Sequence, residues 1–256
     1  MNAAAEPGAP LLALEGVRKR YGDREVLRGI SLEVARHEVV ALIGASGSGK
    51  STLLKTINLL ERIDDGRILF DGEDISDPRT KADGVRARIG MVFQGYNLFP
   101  HLTVLENVAV GLRTVHRVPR AEAERRSRDL LERIGLGEHA KAYPDRLSGG
   151  QQQRAALVRA IAAGQELLLL DEITSALDPE LVGEVLELVR DLGREGTAIV
   201  MATHEMAFAR DVAHRVVFLD GGTVCEAGPP EQLFGAPRQE RTRRFLARFT
   251  GTAGGE

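Results

Sequence analysis

The chain has 256 residues, 43% of them hydrophobic and 28% charged, with a net charge of -3 and a pI near 6.1. A chain of this length buries roughly 70–75% of the surface its unfolded form exposes, so it can build a full core as one large domain or two small ones. The mild acidity leaves no electrostatic footprint for nucleic acid. The single cysteine, Cys225, excludes an internal disulfide framework and a multi-cysteine metal site; it reads as a small buried apolar residue in a reducing compartment, the cytosol.

Residues 1–10 have neither a positively charged start nor a long apolar run, so they do not look like a signal peptide, and with 251–256 they read as disordered tails. Segments Leu11 to Val17, Val26 to Val34 and Val39 to Ile43 are short, partly β-branched and separated by Gly, Asp and charged clusters, which predicts strands. A helix follows from Lys50 to about Leu60, with Leu53, Leu54, Ile57 and Leu60 on its apolar face. Asp64, Asp65 and Gly66 turn the chain into a strand from Arg67 to Phe70, and Ile89 to Phe93 reads as a further core strand.

From about 103 to 164 the pattern is helical almost throughout, a separate subdomain. One helix begins after Pro119, carries Leu130, Leu131 and Ile134 on one side, and stops at Gly135, a residue suited to a left-handed C′ position. Its arginines alternate with Glu122, Glu124, Asp129 and Glu132, the composition of a solvated face rather than a basic patch. Strand and helix then alternate through Leu167 to Leu170, a helix from Pro179 to about Leu192, Ala198 to Ala202 and Val216 to Leu219, the pattern of an α/β fold with parallel core strands. No apolar run approaches the roughly 20 residues of a spanning helix, so membrane association would go through another protein.

The string GASGSGKST fits G-x-x-x-x-G-K-S/T between a buried strand and an amphipathic helix. Gly44, Gly47 and Gly49 let the backbone curl so that N–H groups along Gly44, Ala45, Ser46, Gly47, Ser48 and Gly49 point inward, and the helix dipole adds to this anion site. Lys50 would reach the β- and γ-phosphates, Ser51 would bind Mg2+, and Thr52 would meet the α-phosphate. The loop alone leaves kinases, GTPases and motor ATPases open, although the guanine-reading N-K-x-D string is absent.

Downstream stands Leu147-Ser148-Gly149-Gly150-Gln151, followed by Gln152, Gln153, Arg154 and a helical stretch. With this string the chain resembles an ABC-transporter ATP-binding subunit, whose signature is LSGGQ. The resemblance runs from about Leu12 to Phe249, and the strings 97–108, 175–186 and 203–222 are most similar to those of the ATPases of bacterial polar amino-acid importers. It implies a P-loop NTPase core with a mostly parallel sheet, an N-terminal antiparallel β subdomain and the inserted helical subdomain, in one domain over 11–250. Ser148, Gly149, Gly150 and Gln151 would form a second anion site at a helix N-terminus, facing the γ-phosphate held by a second copy. Asp171, at the end of the Walker B strand, would hold Mg2+ and Glu172 would polarise the attacking water; alone, the pair would read as a solvated turn. Gln94 corresponds to the Q-loop glutamine, touching nucleotide and metal, Asp178 belongs to the D-loop, His204 matches the γ-phosphate sensor, and Tyr21 matches the aromatic that stacks on adenine.

The resemblance further implies a homodimer closed over two ATP molecules, permease subunits in the membrane, an extracytoplasmic solute-binding protein acting through the permease, and a peripheral position on the cytoplasmic face of the cell membrane. ABC ATPases for an ion, a compatible solute or an exporter carry the same machinery. The two-ATPase chains of translation factors and the long coiled coil of repair proteins are absent. Three positions depart from the family pattern: Ile173 stands where Pro is usual, Gly95 where this subgroup often has Gln, and His37 where Gly is common. Loss of Pro frees φ beside Glu172 and adds an N–H donor, which predicts a looser turn.

Overall fold

The computed structural model describes residues 9–250 apart from Tyr96, Ala176 and Asp178. The expected tails therefore lie outside the described residues, except for Ala9 and Pro10, and so does Asp178. In chain order the strands are β1 (Leu12–Tyr21), β2 (Arg24–Val34), β3 (Val39–Ile43), β4 (Asp65–Phe70), β5 (Glu73–Asp74), β6 (Ile89–Val92), β7 (Leu167–Asp171), β8 (Ala198–Ala202), β9 (Arg215–Asp220) and β10 (Thr223–Gly228). The helices are α1 (Lys50–Ile57), α2 (Ala82–Arg86), α3 (Val104–Thr114), α4 (Arg120–Arg133), α5 (Gly149–Ile161), α6 (Pro179–Arg194), α7 (Met206–Val212), α8 (Pro230–Gly235) and α9 (Glu240–Thr250).

Two sheets result. An antiparallel sheet has the order β2-β1-β4-β5, with Leu14 opposite Leu32 on one side and Ile68 on the other. The larger sheet has the order β10-β9-β3-β8-β7-β6 and is parallel except for β10. Its central strands are buried on both faces, which explains why β3, β7 and β8 read as unbroken apolar runs. The two faces nevertheless separate at every second residue. Val40, Leu42, Leu167, Leu169 and Val200 pack toward α1 and the antiparallel sheet. Val39, Ala41, Leu168, Leu170, Ile199 and Met201 pack toward residues of α5, α6, α7 and α9.

Helices α3, α4 and α5 share a further cluster around Val104, Val108, Leu131, Ala155 and Val158. Helix α4 ends as its sequence predicts, with Gly135 at C′ and φ 70°. Helix α1 stops at Ile57, short of the expected Leu60, because Leu59 turns left-handed at φ 54° and the Leu60 N–H closes back on the Lys55 carbonyl at 2.9 Å. Pattern alone assigns no element to β5, β10, α2 or the helices after β8, which are short or amphipathic over few turns. His37 also has a physical account: its φ of 64° lies in the left-handed region that favours Gly, and its Nδ1 meets the Gly196 carbonyl in the turn before β8.

Candidate functional site

Strand β3 delivers the chain to Gly44, where a Cβ would sit 2.3 Å from the Leu219 carbonyl oxygen, and at Gly49 it would sit 2.9 Å from Leu27 Cδ2. Only glycine fits these two positions, and both also have positive φ. Gly49 is the N-cap of α1 and provides no side-chain cap, and no acidic residue stands in the first turn. The helix therefore presents its free N–H groups and the positive end of its dipole to an anion. Lys50 is buried; its Nζ donates to the carbonyls of Gly44 at 3.0 Å and Ala45 at 3.3 Å.

Three adjacent strands then converge on that lysine at their C-terminal ends. At the end of β7, Asp171 Oδ1 accepts from the Ser51 hydroxyl at 2.7 Å. Burial pushes the Asp171 carboxyl above its ordinary range, the Ser51 bond opposes this, Glu172 adds to it, and Lys55 and Lys50 pull it back. The next residue, Glu172, has φ 47°, a strained conformation for a non-glycine residue. Its N–H reaches the Ala202 carbonyl at 3.0 Å, while its own carbonyl accepts from the Ser175 N–H at 3.1 Å and hydroxyl at 2.8 Å. So held, Glu172 Oε1 lies 3.5 Å from Lys50 Nζ and 3.0 Å from His204 Nε2, a side chain that follows β8.

The open cleft around this cluster is lined by Ser46, Gly47, Gly49, Lys50, Ser51, Thr52, Gln94 and Glu172, together with Arg24 and Val26. Gln94 follows β6, the strand next to β7, so the sheet order itself carries it there. Arg24 and Val26 were not legible as site residues; their only signal is a start of β2 that the topology folds over the loop. Tyr21 ends β1 with 44% of its surface exposed and Lys19 Nζ 5.2 Å from its ring centre. Burial and then Glu61 raise its hydroxyl, with the Thr52 side chain opposing them, and Tyr21 is not among the residues that line the cleft around Lys50.

The Ser51 hydroxyl and Asp171 carboxylate supply hard oxygen ligands side by side, with the Gln94 side chain on the same cleft. No group of three His, Cys, Asp or Glu side chains able to hold a metal occurs among the described residues. A cation here would complete its shell with water and phosphate oxygens, the habit of Mg2+, so these residues fit that ion.

The second predicted anion site is elsewhere. Ser148 is the exposed N-cap of α5 and forms a capping box: the Gln151 N–H donates to Ser148 Oγ at 3.3 Å and the Ser148 N–H to Gln151 Oε1 at 2.9 Å. The Gln151 amide nitrogen also lies 3.1 Å from His139 Nε2. Among the described residues, Ser148, Gly149, Gly150 and Gln151 do not line the cleft that holds Lys50.

Comparison with known proteins agrees with this geometry. The family model described as ABC transporter matches residues 27–175. The chain is 48% identical to a glutamine transport ATP-binding protein of Geobacillus stearothermophilus, over 91% of this chain and 96% of that one. It is 48% identical to an L-cystine import ATP-binding protein of Bacillus subtilis (strain 168), covering 93% and 98%, and 49% identical to a histidine transport ATP-binding protein of Pseudomonas aeruginosa, covering 92% and 97%. A solved ATP-binding cassette, dimeric in a post-hydrolysis state with ADP and Pi, superposes with a TM-score of 0.77 at 32% identity, covering 86% of this chain and 98% of that one.

Proposed function

The chain belongs to the ABC transporter family of ATP-binding subunits, and on that premise we propose that it hydrolyses ATP to drive import of a polar amino acid through a separate membrane permease. The observation that carries the catalytic part is the meeting of Lys50, Ser51, Asp171, Glu172 and His204 at the ends of three neighbouring strands. The phosphates lie along Gly44 to Thr52, with Lys50 on the β- and γ-phosphates and Tyr21 against the adenine ring. Ser51 and Asp171, with Gln94, hold Mg2+. When bound, Mg2+ neutralises charge on the phosphate oxygens. Glu172 Oε1 accepts the proton of the attacking water, and His204 Nε2, 3.0 Å from that oxygen, orients it.

Ser148 and the N-terminus of α5 do not line the cleft that holds Lys50, so the half-site is completed by a second copy whose ATP they cover. ATP binding joins the copies and hydrolysis parts them, and the segment after Gln94 with the helical subdomain transmits the movement to a permease. No helix among the described residues is long and apolar enough to cross a membrane; contact with the permease would hold the chain at the cytoplasmic face of the cell membrane. An extracytoplasmic binding protein delivers the solute to that permease, and the importers named above support an amino acid as cargo.

The test is reconstitution of the chain with its permease in membranes, with amino acids presented through the binding protein. Stimulated ATP hydrolysis by a polar amino acid supports the reading. Hydrolysis without stimulation by any amino acid retains the motor and moves the cargo to an ion or a compatible solute.

A further inference from the structure

The cap of α5 is braced by a residue outside the LSGGQ string. Ser148 Oγ accepts from the Gln151 N–H at 3.3 Å, and the Ser148 N–H donates to Gln151 Oε1 at 2.9 Å. With its oxygen committed to that donor, the Gln151 amide turns its nitrogen the other way, to 3.1 Å from His139 Nε2. An amide nitrogen only donates, so Nε2 is the bare, accepting nitrogen of a neutral ring and Nδ1 carries the proton. One chain of polar bonds thus runs from His139 through Gln151 to Ser148. It fixes the imidazole tautomer at one end and the cap at the other.

The histidine stands on a firm backbone. Its N–H donates to the Leu136 carbonyl at 3.1 Å, and its carbonyl accepts from the Ala142 N–H at 2.9 Å. The first turn of α3, whose N–H groups lack partners in their own helix, holds the same segment: Val104 and Leu105 donate to the carbonyls of Ala142 and Ala140, each at 2.9 Å. Ala140 is buried in the cluster shared by α3, α4 and α5. His139 is half-buried on this support, while Ser148 is exposed. Because Ser148 Oγ accepts from the helix end, its own hydroxyl proton is left to point away from α5. A donor aimed in advance binds an anion better than one that must be ordered on contact.

We propose that His139 is a positioning residue for the Ser148 hydroxyl: by accepting from the Gln151 amide it locks the cap that aims this hydroxyl at the ATP of a second copy. The proposal rests on the reading that a second copy holds ATP against the start of α5. Without the imidazole acceptor the Gln151 amide is free to turn over and face its NH2 toward the Ser148 N–H, donor against donor, and the cap opens. His139 itself touches no phosphate, so its removal acts on closure of the two copies and not on the ATP cleft of either.

The test uses the full chain carrying Glu172→Gln, which holds ATP without turning it over, and reads the ATP-dependent dimer by analytical ultracentrifugation. Adding His139→Leu raises the dimer dissociation constant about 10-fold, since each of the two symmetric sites loses one hydrogen bond. His139→Gln, whose amide oxygen accepts in place of Nε2, stays within ~3-fold of the parent. ATP affinity of the single chain is the same in all three. A ring that only filled space would be replaced at least as well by Leu as by Gln. Nitrogen-15 resonances of the ring, assigned by their loss in His139→Gln, report a protonated Nδ1 and a bare Nε2 at about pH 8, and this measurement decides alone if His139→Leu does not fold. The opposite tautomer, or a parent dimer that His139→Leu leaves as tight, overturns the role of His139 and spares the second-copy reading. A parent that forms no dimer with ATP overturns both.

Discussion

Two helix N-termini in this chain would take anions in the function proposed above, and the rest of the molecule treats them differently. At α1 the cap is a glycine with no side chain to occupy the free N–H groups, and the ends of β7 and β8 bring a carboxylate pair and a histidine to the same place. At α5 the cap is Ser148, and the capping box with Gln151 already satisfies part of the helix end. On the proposed reading the first is a place where a ligand would be gripped and chemistry could follow, and the second is an exposed, capped face that would cover something held by another copy. On that reading, the convergence of Lys50, Asp171, Glu172 and His204 on one helix end, and not the helix dipole alone, separates a catalytic anion site from a covering one.

The strongest way to break this comparison is at Glu172. Replacing it by Gln keeps size and shape but removes the proton acceptor, and hydrolysis slows by about 10²- to 10⁴-fold while ATP-bound dimers persist. Near-normal turnover in a single-turnover assay would remove Glu172 from the role of base. Two companions locate the effect: Lys50→Ala weakens nucleotide binding itself, whereas His204→Ala spares binding and stops turnover. Equal ATP affinity of wild type and Lys50→Ala, measured by calorimetry, would contradict the placement of the phosphates.

A smaller effect tests whether the α1 site depends on packing behind its sheet. Glu226 in β10 is buried and receives the N–H groups of Arg238 and Gln239 at 2.8 and 3.0 Å and the Gln232 amide at 2.9 Å, which ties the chain before α9 to the sheet edge. Helix α9 then stacks Phe245 on Phe218 of β9 with ring centres 4.8 Å apart, and β9 pairs with β3, the strand that leads into the phosphate loop. Burial alone would raise the Glu226 carboxyl, but Thr242, those backbone donors and Gln232 outweigh it and hold it at about 2. A carboxyl depressed in the folded state stabilises fully above its ordinary value, and that stabilisation is lost as pH falls from there toward about 2. Glu226→Gln therefore costs about 1–3 kcal/mol at neutral pH and flattens the acid limb of the unfolding curve. An acid limb identical to that of wild type would show that the carboxylate contributes nothing there.

At α5 the expected loss is smaller again. Ser148→Ala removes the cap and costs about 0.5–2 kcal/mol of helix stability. It leaves ATP affinity of the single chain unchanged and weakens the ATP-dependent dimer, as read by analytical ultracentrifugation. A fall in single-chain ATP affinity would mean that both helix ends serve the same cleft, and the distinction between them would collapse.

What could be read from the amino acids follows the same division. The phosphate loop and the core strands were legible because their signals are local, glycine spacing and unbroken apolar runs, whereas Asp171 and Glu172 took their roles from the family resemblance, since the pair alone reads as a solvated turn. Arg24 and Val26 were not legible as site residues, because their place over the loop arises from the packing of β2, in the antiparallel sheet, against Gly47 and Gly49 and not from their neighbours in sequence. The Glu226 anchor was invisible for a similar reason, since an acidic residue within a short edge strand reads as solvated until α9 folds back over it. The strain at Glu172 left no sequence trace either, because a left-handed glutamate is a property of the turn and its four backbone and side-chain bonds.

The least predictable residue of that turn is Ile173. Its freedom from the proline ring suggests a loose turn, yet its side chain is 7% exposed and packs in the cluster that includes Leu157, Val185 and Phe208. Packing thus does here part of what a fixed φ does with proline. Ile173→Pro exchanges one restraint for the other: the lost apolar contact costs about 1 kcal/mol of stability, while the stiffened backbone under Glu172 raises turnover of the assembled complex by about 2- to 5-fold. ATP affinity stays as it is, because the loop at Gly44 to Thr52 is untouched. A hydrolysis rate equal to that of wild type would mean that the buried isoleucine already holds Glu172 as firmly as proline can.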